Sequence, residues 1–541
     1  MPVISSKGQV SGGALVGPGA YLTYSAPSPK LTEQSDGVMR FQAHNLVSNS
    51  VQFGGAGYTS LNVTPTQGVA DPSGGNAATQ LVISPNGYTQ ISTVAVIGAS
   101  YSQTLAMRTV SGTAQVRLYA NGATLKVTTC NLTTEWTYFK NDYVANSVSE
   151  GVGVSDNTLG TGSTIIVAFH HVRRTPSVDT YIATTSAAAY DLPYVWSGGV
   201  RQGIMVEPAA TNLMFVATPS SGHSNITWSG NTLETLDPAG TNTASKMTTT
   251  ATAGTNIVDS ATVAATSCTA SVYIKATASE LNRFVLRNGT TATILLDITI
   301  SNFSTGAFSY NTGSAGASVE VLNNGWLRVV LSASAGITSG DLIQFYTGAL
   351  GNSVAAGQVL YIWCRQLETG TVATSPIITY GAAVARAADN ASMLGALFPL
   401  SSSEGTLFVE VVTPSSISAS TDARPASLND GSTNNRAFIY ANVDGLKFGV
   451  RSGGAASADI NAGAISASTS YKMACAYTLN DFAASLNGAA VVTDTSGAVP
   501  IGLNSLHVGH AANSTHWNGQ IKRVAYFPRR LSNAELQAIA A

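Results

Sequence analysis

The sequence predicts an all-β protein made of tandem β-sandwich, jelly-roll-type domains that ends in one short helix. Three observations carry this reading. Only 10% of the residues are charged and 52 are Gly; the small polar residues that replace the charge suit a pleated face and suit long helices poorly. Short runs of alternating apolar and polar residues recur between turn residues, as in Glu404-Gly-Thr-Leu-Phe-Val-Glu-Val-Val412, the pattern of half-buried strands. The length of 541 residues also exceeds the ~100–200 of one domain, and part of the chain repeats itself.

The elements follow in order. Residues 1–36 hold five glycines between positions 8 and 19, which oppose a stable helix. They read as an extended attachment segment with Tyr21, Leu22 and Tyr24 as anchors for a partner, and its removal is expected to leave the sandwiches folded. A first sandwich is expected over 37–185, a Pro/Gly-punctuated linker over 186–202, a second sandwich repeating the first over 203–390, and a third over 395–541.

The repeat rests on shared letters and spacing. Asp71-Pro-Ser-Gly-Gly-Asn-Ala-Ala-Thr-Gln-Leu81 matches Asp237-Pro-Ala-Gly-Thr-Asn-Thr-Ala-Ser-Lys-Met247. Asn45-Leu46 matches Asn212-Leu213, and the Asn-to-Asp spacing is 26 residues in one copy and 25 in the other. Trp136 aligns with Trp326, and the strand pattern Ile165–His170 with Val359–Cys364. At the C-terminus, Ser532 followed by Glu535 forms a capping box, with Leu531 and Leu536 placed as a hydrophobic staple for a two-turn helix.

Composition excludes some functions. With 26 Lys+Arg against 28 Asp+Glu and a net charge of -2, no basic stripe is available to a phosphate backbone, so nucleic acid is not an expected partner. No signal-like or 18-residue apolar stretch is present, so neither export nor membrane insertion is expected. Cys130, Cys268, Cys364 and Cys475 lack metal-ligand spacing and read as reduced core residues. Weak surface charge leaves β-edges poorly protected, and burial in a homo-oligomer would relieve this.

The ending Trp517-Asn-Gly-Gln-Ile-Lys-Arg-Val-Ala-Tyr-Phe-Pro-Arg-Arg-Leu-Ser-Asn-Ala-Glu-Leu resembles the terminus of concanavalin A-like, laminin-G-type domains in phage structural proteins. Gly203-Ile-Met-Val-Glu-Pro-Ala-Ala-Thr-Asn-Leu213 and Gln366–Thr379 resemble the carbohydrate-binding-module-like sandwiches that precede such domains in tailed-phage virion proteins. The resemblance covers about residues 200–541. It implies a tail-fibre, head-fibre or appendage protein of the virion, assembled in the host cytoplasm. The N-terminal segment would hold other virion proteins, threefold self-association follows by analogy with fibres, and the lectin-like domain would recognise host-surface polysaccharide. Two other functions stay open: a head-decoration or tail protein with only packing roles, and a glycan depolymerase.

No HExxH, GxSxG or phosphate-loop signature occurs, and a non-enzymatic role is expected. For a glycan site, His516, Trp517 and Asn518 stand out because they lie in a Gly/Asn-rich stretch where an indole could stack on a sugar face; the alternative packs Trp517 under the loop. Trp136, Trp326 and Trp363 sit inside strand patterns and read as core anchors. No cofactor is indicated, although calcium, common in the resembled lectin fold, would find its nearest oxygens on Asp430, Asn442 and Asp444. Adjacent His170 and His171 point to opposite faces of a strand and cannot readily share an ion. Arg173, Arg174, Arg386, Arg529 and Arg530 lie near module ends and are expected to pair between domains or subunits.

Overall fold

The computed structural model describes the whole chain except residues 1–2, 6–22, 26–27, 157–159, 161, 198, 215–224, 251–253, 277–278, 323, 399, 402, 416, 418–421 and 512–513. The chain divides into two compact units, Arg40–Asp191 and Met1–Met39 with Leu192–Ala541. All named strand pairs are antiparallel, and the described residues contain a single α-helix, Asn533–Ala540. The all-β reading therefore holds.

The Arg40–Asp191 unit is one eight-stranded sheet curled around its core. Its spine is the long strand Ala78–Val94, which pairs with Ser163–Arg174 near its start and with Ser149–Ser155 near its end. The outermost strands Leu125–Leu132 and Thr137–Val144 approach each other, with Thr128 Oγ1 donating to Asn141 Oδ1 at 3.0 Å, but no backbone ladder among the described residues joins them.

The larger unit holds two sandwiches. In the first, a six-stranded sheet containing Val359–Thr369 and Cys268–Lys275 faces a five-stranded sheet containing Leu342–Ser353 and Arg283–Asn288. Leu286, Phe345, Val272 and Leu331 interdigitate between them. In the second, Glu404–Val412 lies between Gln520–Phe527 and Ser470–Thr478, facing a sheet centred on Ala423–Asn429. The C-terminal helix covers the outer face at Ala474, Ala476, Ala483 and Ala525. Its capping box is present, with Ser532 and Glu535 each serving the other's backbone N–H.

The flanking segments depart from expectation. Residues 186–202, read as a linker, contain the strand Tyr194–Ser197 and run into Val200–Met205, which joins Gln520–Phe527 at the edge of the last sandwich. The close approach needs Gly203: at φ +146, a Cβ there would sit 2.5 Å from the Ile521 carbonyl oxygen. The N-terminal segment also supplies strands, Val3–Ser5 on Gln520–Phe527 and Thr23–Ser25 on Asn390–Leu394. Open sheet edges in the last sandwich thus take up chain from outside 395–541.

The repeat is visible as geometry. Asn45 Nδ2 donates to the carbonyls of His170 and Ile182, both at 2.9 Å, while its Oδ1 accepts from Val47 N and Val172 N. Asn212 repeats this with Arg365, Ile377, Met214 and Leu367. Asp71 accepts from the backbone N–H groups of Ser73, Gly75 and Ala77, and Asp237 from those of Ala239, Thr241 and Thr243. The Asn clamps also correct the alignment: His170 corresponds to Arg365, so Ile165–His170 matches residues 360–365, one residue later than the letters imply. Both strands carry a left-handed residue, Phe169 at φ 60 and Cys364 at φ 44, which breaks alternation where a one-residue slip exchanges the two faces.

Each clamp satisfies four backbone groups in the interior. Asn212→Ala strands all four, each worth ~1–3 kcal/mol when left unmade, and the unfolding transition of its unit should lose about 3–5 kcal/mol in chemical denaturation.

Candidate functional site

The stretch singled out in the sequence, His516–Asn518, lines a cavity of about 500 Å³ at the seam of the two sandwiches of the larger unit. Pro208, Gly370 and Val372 border it from one sandwich, and Pro414, Ala423 and Thr515 from the other. This volume falls within the ~300–1,000 Å³ typical of small-molecule sites.

Trp517 does not offer a stacking face. It is fully buried in the core of the last sandwich, and its Nε1 donates to the Val412 carbonyl at 3.0 Å. An indole just before an internal strand satisfies both its area and its N–H better inside than in the loop. Asn518 behaves differently. It is 8% exposed; its backbone N–H donates to Val206 O at 3.2 Å and Nδ2 to Ala373 O at 3.3 Å, while Oδ1 has no partner among the described atoms. Thr515 Oγ1 is likewise buried and unpartnered. Both residues have left-handed backbones, Thr515 at φ 52 and Asn518 at φ 50, and for a β-branched residue this is a strained conformation of the kind found at ligand sites.

His516 closes the site from below. Its Nε2 lies 2.9 Å from the Asp389 carbonyl, and its ring stacks on His510, which stacks on His507. His510 Nε2 sits 3.0 Å from Ala391 N and 3.1 Å from Ala391 O; burial, then the neighbouring His507 and His516, lower its pKa to about 3 and keep the ring neutral.

Beneath the seam lies a fully enclosed charge cluster. Lys30 contacts Glu207 at 3.1 Å and also Asp389, and Arg386 contacts Glu207 at 3.0 Å; these side chains are at most 4% exposed. Ser375 donates to both Glu207 oxygens, and the Glu207 N–H and the Tyr24 hydroxyl donate to Asp389 at 2.7 and 2.9 Å. Burial pushes the Glu207 carboxyl up, but Arg386 and Lys30 outweigh it and hold it near about 2.

The remaining sequence-derived sites stand as follows. Tyr24, expected as an anchor for another protein, is taken up by this chain: its ring packs on the last sandwich and its hydroxyl reaches Asp389. Tyr21 and Leu22 lie outside the described residues. Asp430, Asn442 and Asp444 do not converge, because Asp430 precedes the strand Arg436–Asn442 and the other two follow from its far end. Asp430 is occupied by Ser432 and Asn435, and Asp444 pairs with Lys447 at 3.0 Å. Among the described residues no cluster of three or more His, Cys, Asp or Glu could hold a metal ion.

His170 is held between the Tyr58 hydroxyl and Gln103, whereas His171 reaches the His44 carbonyl. Trp326 and Trp363 are buried and Trp136 is half-buried beneath Arg108. The four cysteines are buried and free. The module-end arginines pair close to home: Arg173 with Asp179, Arg386 with Glu207, Arg529 with Glu535 and Arg530 with Asp481. No helix among the described residues is long and apolar enough to cross a membrane. Sequence reading missed Lys30, Glu207 and Asp389, whose only signal is that each is a lone charge in an apolar or small-residue context.

No family model and no curated protein matches the chain. Solved structures similar to parts of it include the CBM40 of a Ruminococcus gnavus IT-sialidase bound to alpha2,3 sialyllactose, at 18% identity over 26% of this chain and 84% of that one, with a TM-score of 0.23. The N-terminal CBM22 tandem domain of Paenibacillus barcinonensis Xyn10C aligns at 12% identity over 61% and 98% of the two chains, TM-score 0.22. A heptameric SAP-like pentraxin from Limulus polyphemus aligns at 12% over 27% and 74%, TM-score 0.21.

Two predictions follow from the cluster and the histidines. Lys30→Met leaves two buried carboxylates with one cation, and because breaking a buried pair costs ~3–5 kcal/mol, the larger unit should melt at clearly lower temperature; removal of residues 1–30 should do the same. For His510, the folded pKa of about 3 lies below the ordinary 6.5, so the unfolded chain binds the extra proton first. His44 and His170, also lowered to about 3 chiefly by burial, and His171, lowered to about 4, act in the same direction. Stability is complete above the unfolded value and is lost as pH falls through that window, so calorimetry should show a falling melting temperature between neutral pH and about pH 4; a flat profile would contradict burial of neutral rings.

Proposed function

We propose that the protein is a virion fibre or appendage protein that recognises host-surface glycan, and that the seam cavity holds a neutral sugar. The observation that supports this best is a cavity of about 500 Å³ bordered by the polar residues Thr515, His516 and Asn518 and by the apolar Pro208, Val372 and Ala423. A rotation of the Thr515 and Asn518 side chains would turn their buried, unpartnered oxygens toward a sugar hydroxyl, and Pro208, Val372 and Ala423 supply apolar contact for its C–H face. The described lining contains no Asp, Glu, Lys or Arg, which favours an uncharged ligand and, since glycosidases work through two carboxylates, binding over cleavage. One such site is weak. Several copies on a homo-oligomer, three by analogy with fibres, raise effective affinity by roughly 10²–10⁴-fold without new contacts.

The test is retention of the full-length protein on an array of bacterial surface polysaccharides, with Thr515→Gly alongside. Glycine relieves the left-handed strain, worth ~1 kcal/mol or more, while removing the hydroxyl. The variant should melt at higher temperature yet lose about tenfold in retention, the equivalent of one hydrogen bond. Equal retention by the variant would move the sugar away from this cavity. No retention of the natural protein on any polysaccharide would overturn glycan recognition and leave a packing role.

A further inference from the structure

The charge cluster beneath the seam has the composition of a reaction site as well as of an ion-pair network. Lys30 Nζ contacts the Asp389 carboxylate directly and lies 3.1 Å from Glu207 Oε2, with all three side chains at most 1% exposed. Lys30 also donates to the Met205 carbonyl at 3.0 Å, which aims the amine. The Asp389 oxygens receive two further donors, the Tyr24 hydroxyl on Oδ1 at 2.9 Å and the Glu207 N–H on Oδ2 at 2.7 Å. An amine, a carboxyl carbon with donors on both oxygens and a second carboxylate within proton-transfer distance are thus enclosed together without access for bulk water.

We propose that Lys30 and Asp389 join in an intramolecular amide, an isopeptide bond between Nζ and Cγ, with Glu207 as the proton relay. The balance needs no other reactant. The Lys30 ammonium passes one proton to Asp389 Oδ2, and the freed lone pair attacks Cγ. Negative charge on Oδ1 is held by the Tyr24 hydroxyl, as oxyanion donors hold acyl intermediates. Glu207 takes a second proton from the nitrogen and returns it to Oδ2, the Cγ–Oδ2 bond breaks, and one water leaves. An ammonium and a carboxylate become an amide and water, with no net change in charge or oxidation state.

Three features of the site favour the product. Enclosure places the reacting groups in permanent contact, replacing an encounter by a pre-formed geometry. Loss of one positive and one negative charge removes a costly buried pair and leaves Glu207 balanced by Arg386, 3.0 Å away. Water is excluded, so reversal by hydrolysis is disfavoured. The bond would span 359 residues of sequence and tie the N-terminal segment to the junction of the two sandwiches, so that pulling on the N-terminus loads a covalent link.

The experiment is intact-mass measurement of the full-length protein under denaturing conditions after incubation at neutral pH, followed by tryptic mapping. The expected result is a mass lower than the sequence mass by one water and a branched peptide carrying both Lys30 and Asp389. Lys30→Arg keeps the charge and should restore the full mass; Glu207→Ala should also restore it, and Tyr24→Phe should slow the loss. Should Glu207→Ala fail to fold, the natural protein and Lys30→Arg still decide the matter. A natural protein that is folded and retains its full sequence mass, or a water loss mapped to other residues, overturns the proposal.

Discussion

The larger unit is organised around four buried charges. Lys30 comes from the N-terminal segment, Glu207 from the start of one sandwich, Arg386 and Asp389 from its end just before the next begins. Buried ions are tolerated only when each is paired and hydrogen-bonded, so these three segments have to arrive together or not at all. The two sandwiches therefore meet in a defined way, and the seam cavity above them has defined walls. Pro208 and Ala388, next in sequence to Glu207 and Asp389, and His516, on the Asp389 carbonyl, all line it.

The same economy explains the low charge of the chain. Part of the charge is used inside, in the cluster, in Arg365 with Asp259, and, with one partner half-buried, in Arg283 with Asp297 and Glu150 with Lys126. The outside is left to small polar residues, whose hydroxyls and amides neither repel nor attract at long range. A surface of that kind adds little electrostatic steering to an encounter.

The two repeats keep their frame and change their interior. The Asn clamps and Asp-capped loops are superimposable in their bonding because they satisfy backbone groups, whose demands do not vary between copies. The side chains hung on that frame differ. Where one copy has neutral His170 between Tyr58 and Gln103, the other has Arg365 paired with Asp259. Both solutions fill the same position after the left-handed residue of the strand, one by removing charge and the other by pairing it.

Local rules were enough to read the all-β class, the internal repeat and the C-terminal capping box. Strand alternation, turn residues and caps act over a few positions, and repeated spacing reports a repeated frame. Three things were decided only by tertiary structure. Edge pairing is set by backbone groups that carry no sequence signature, so the expected linker and N-terminal segment became strands of the last sandwich. The face a strand presents turns on one residue, and the Asn clamps together with the shared positive φ at Phe169 and Cys364 set the two copies one residue away from the match of letters. The meeting of Lys30 with Glu207 and Asp389 joins residues far apart in the chain, and only the packing of two sandwiches, which removes water from all of them at once, gives those residues a common chemistry.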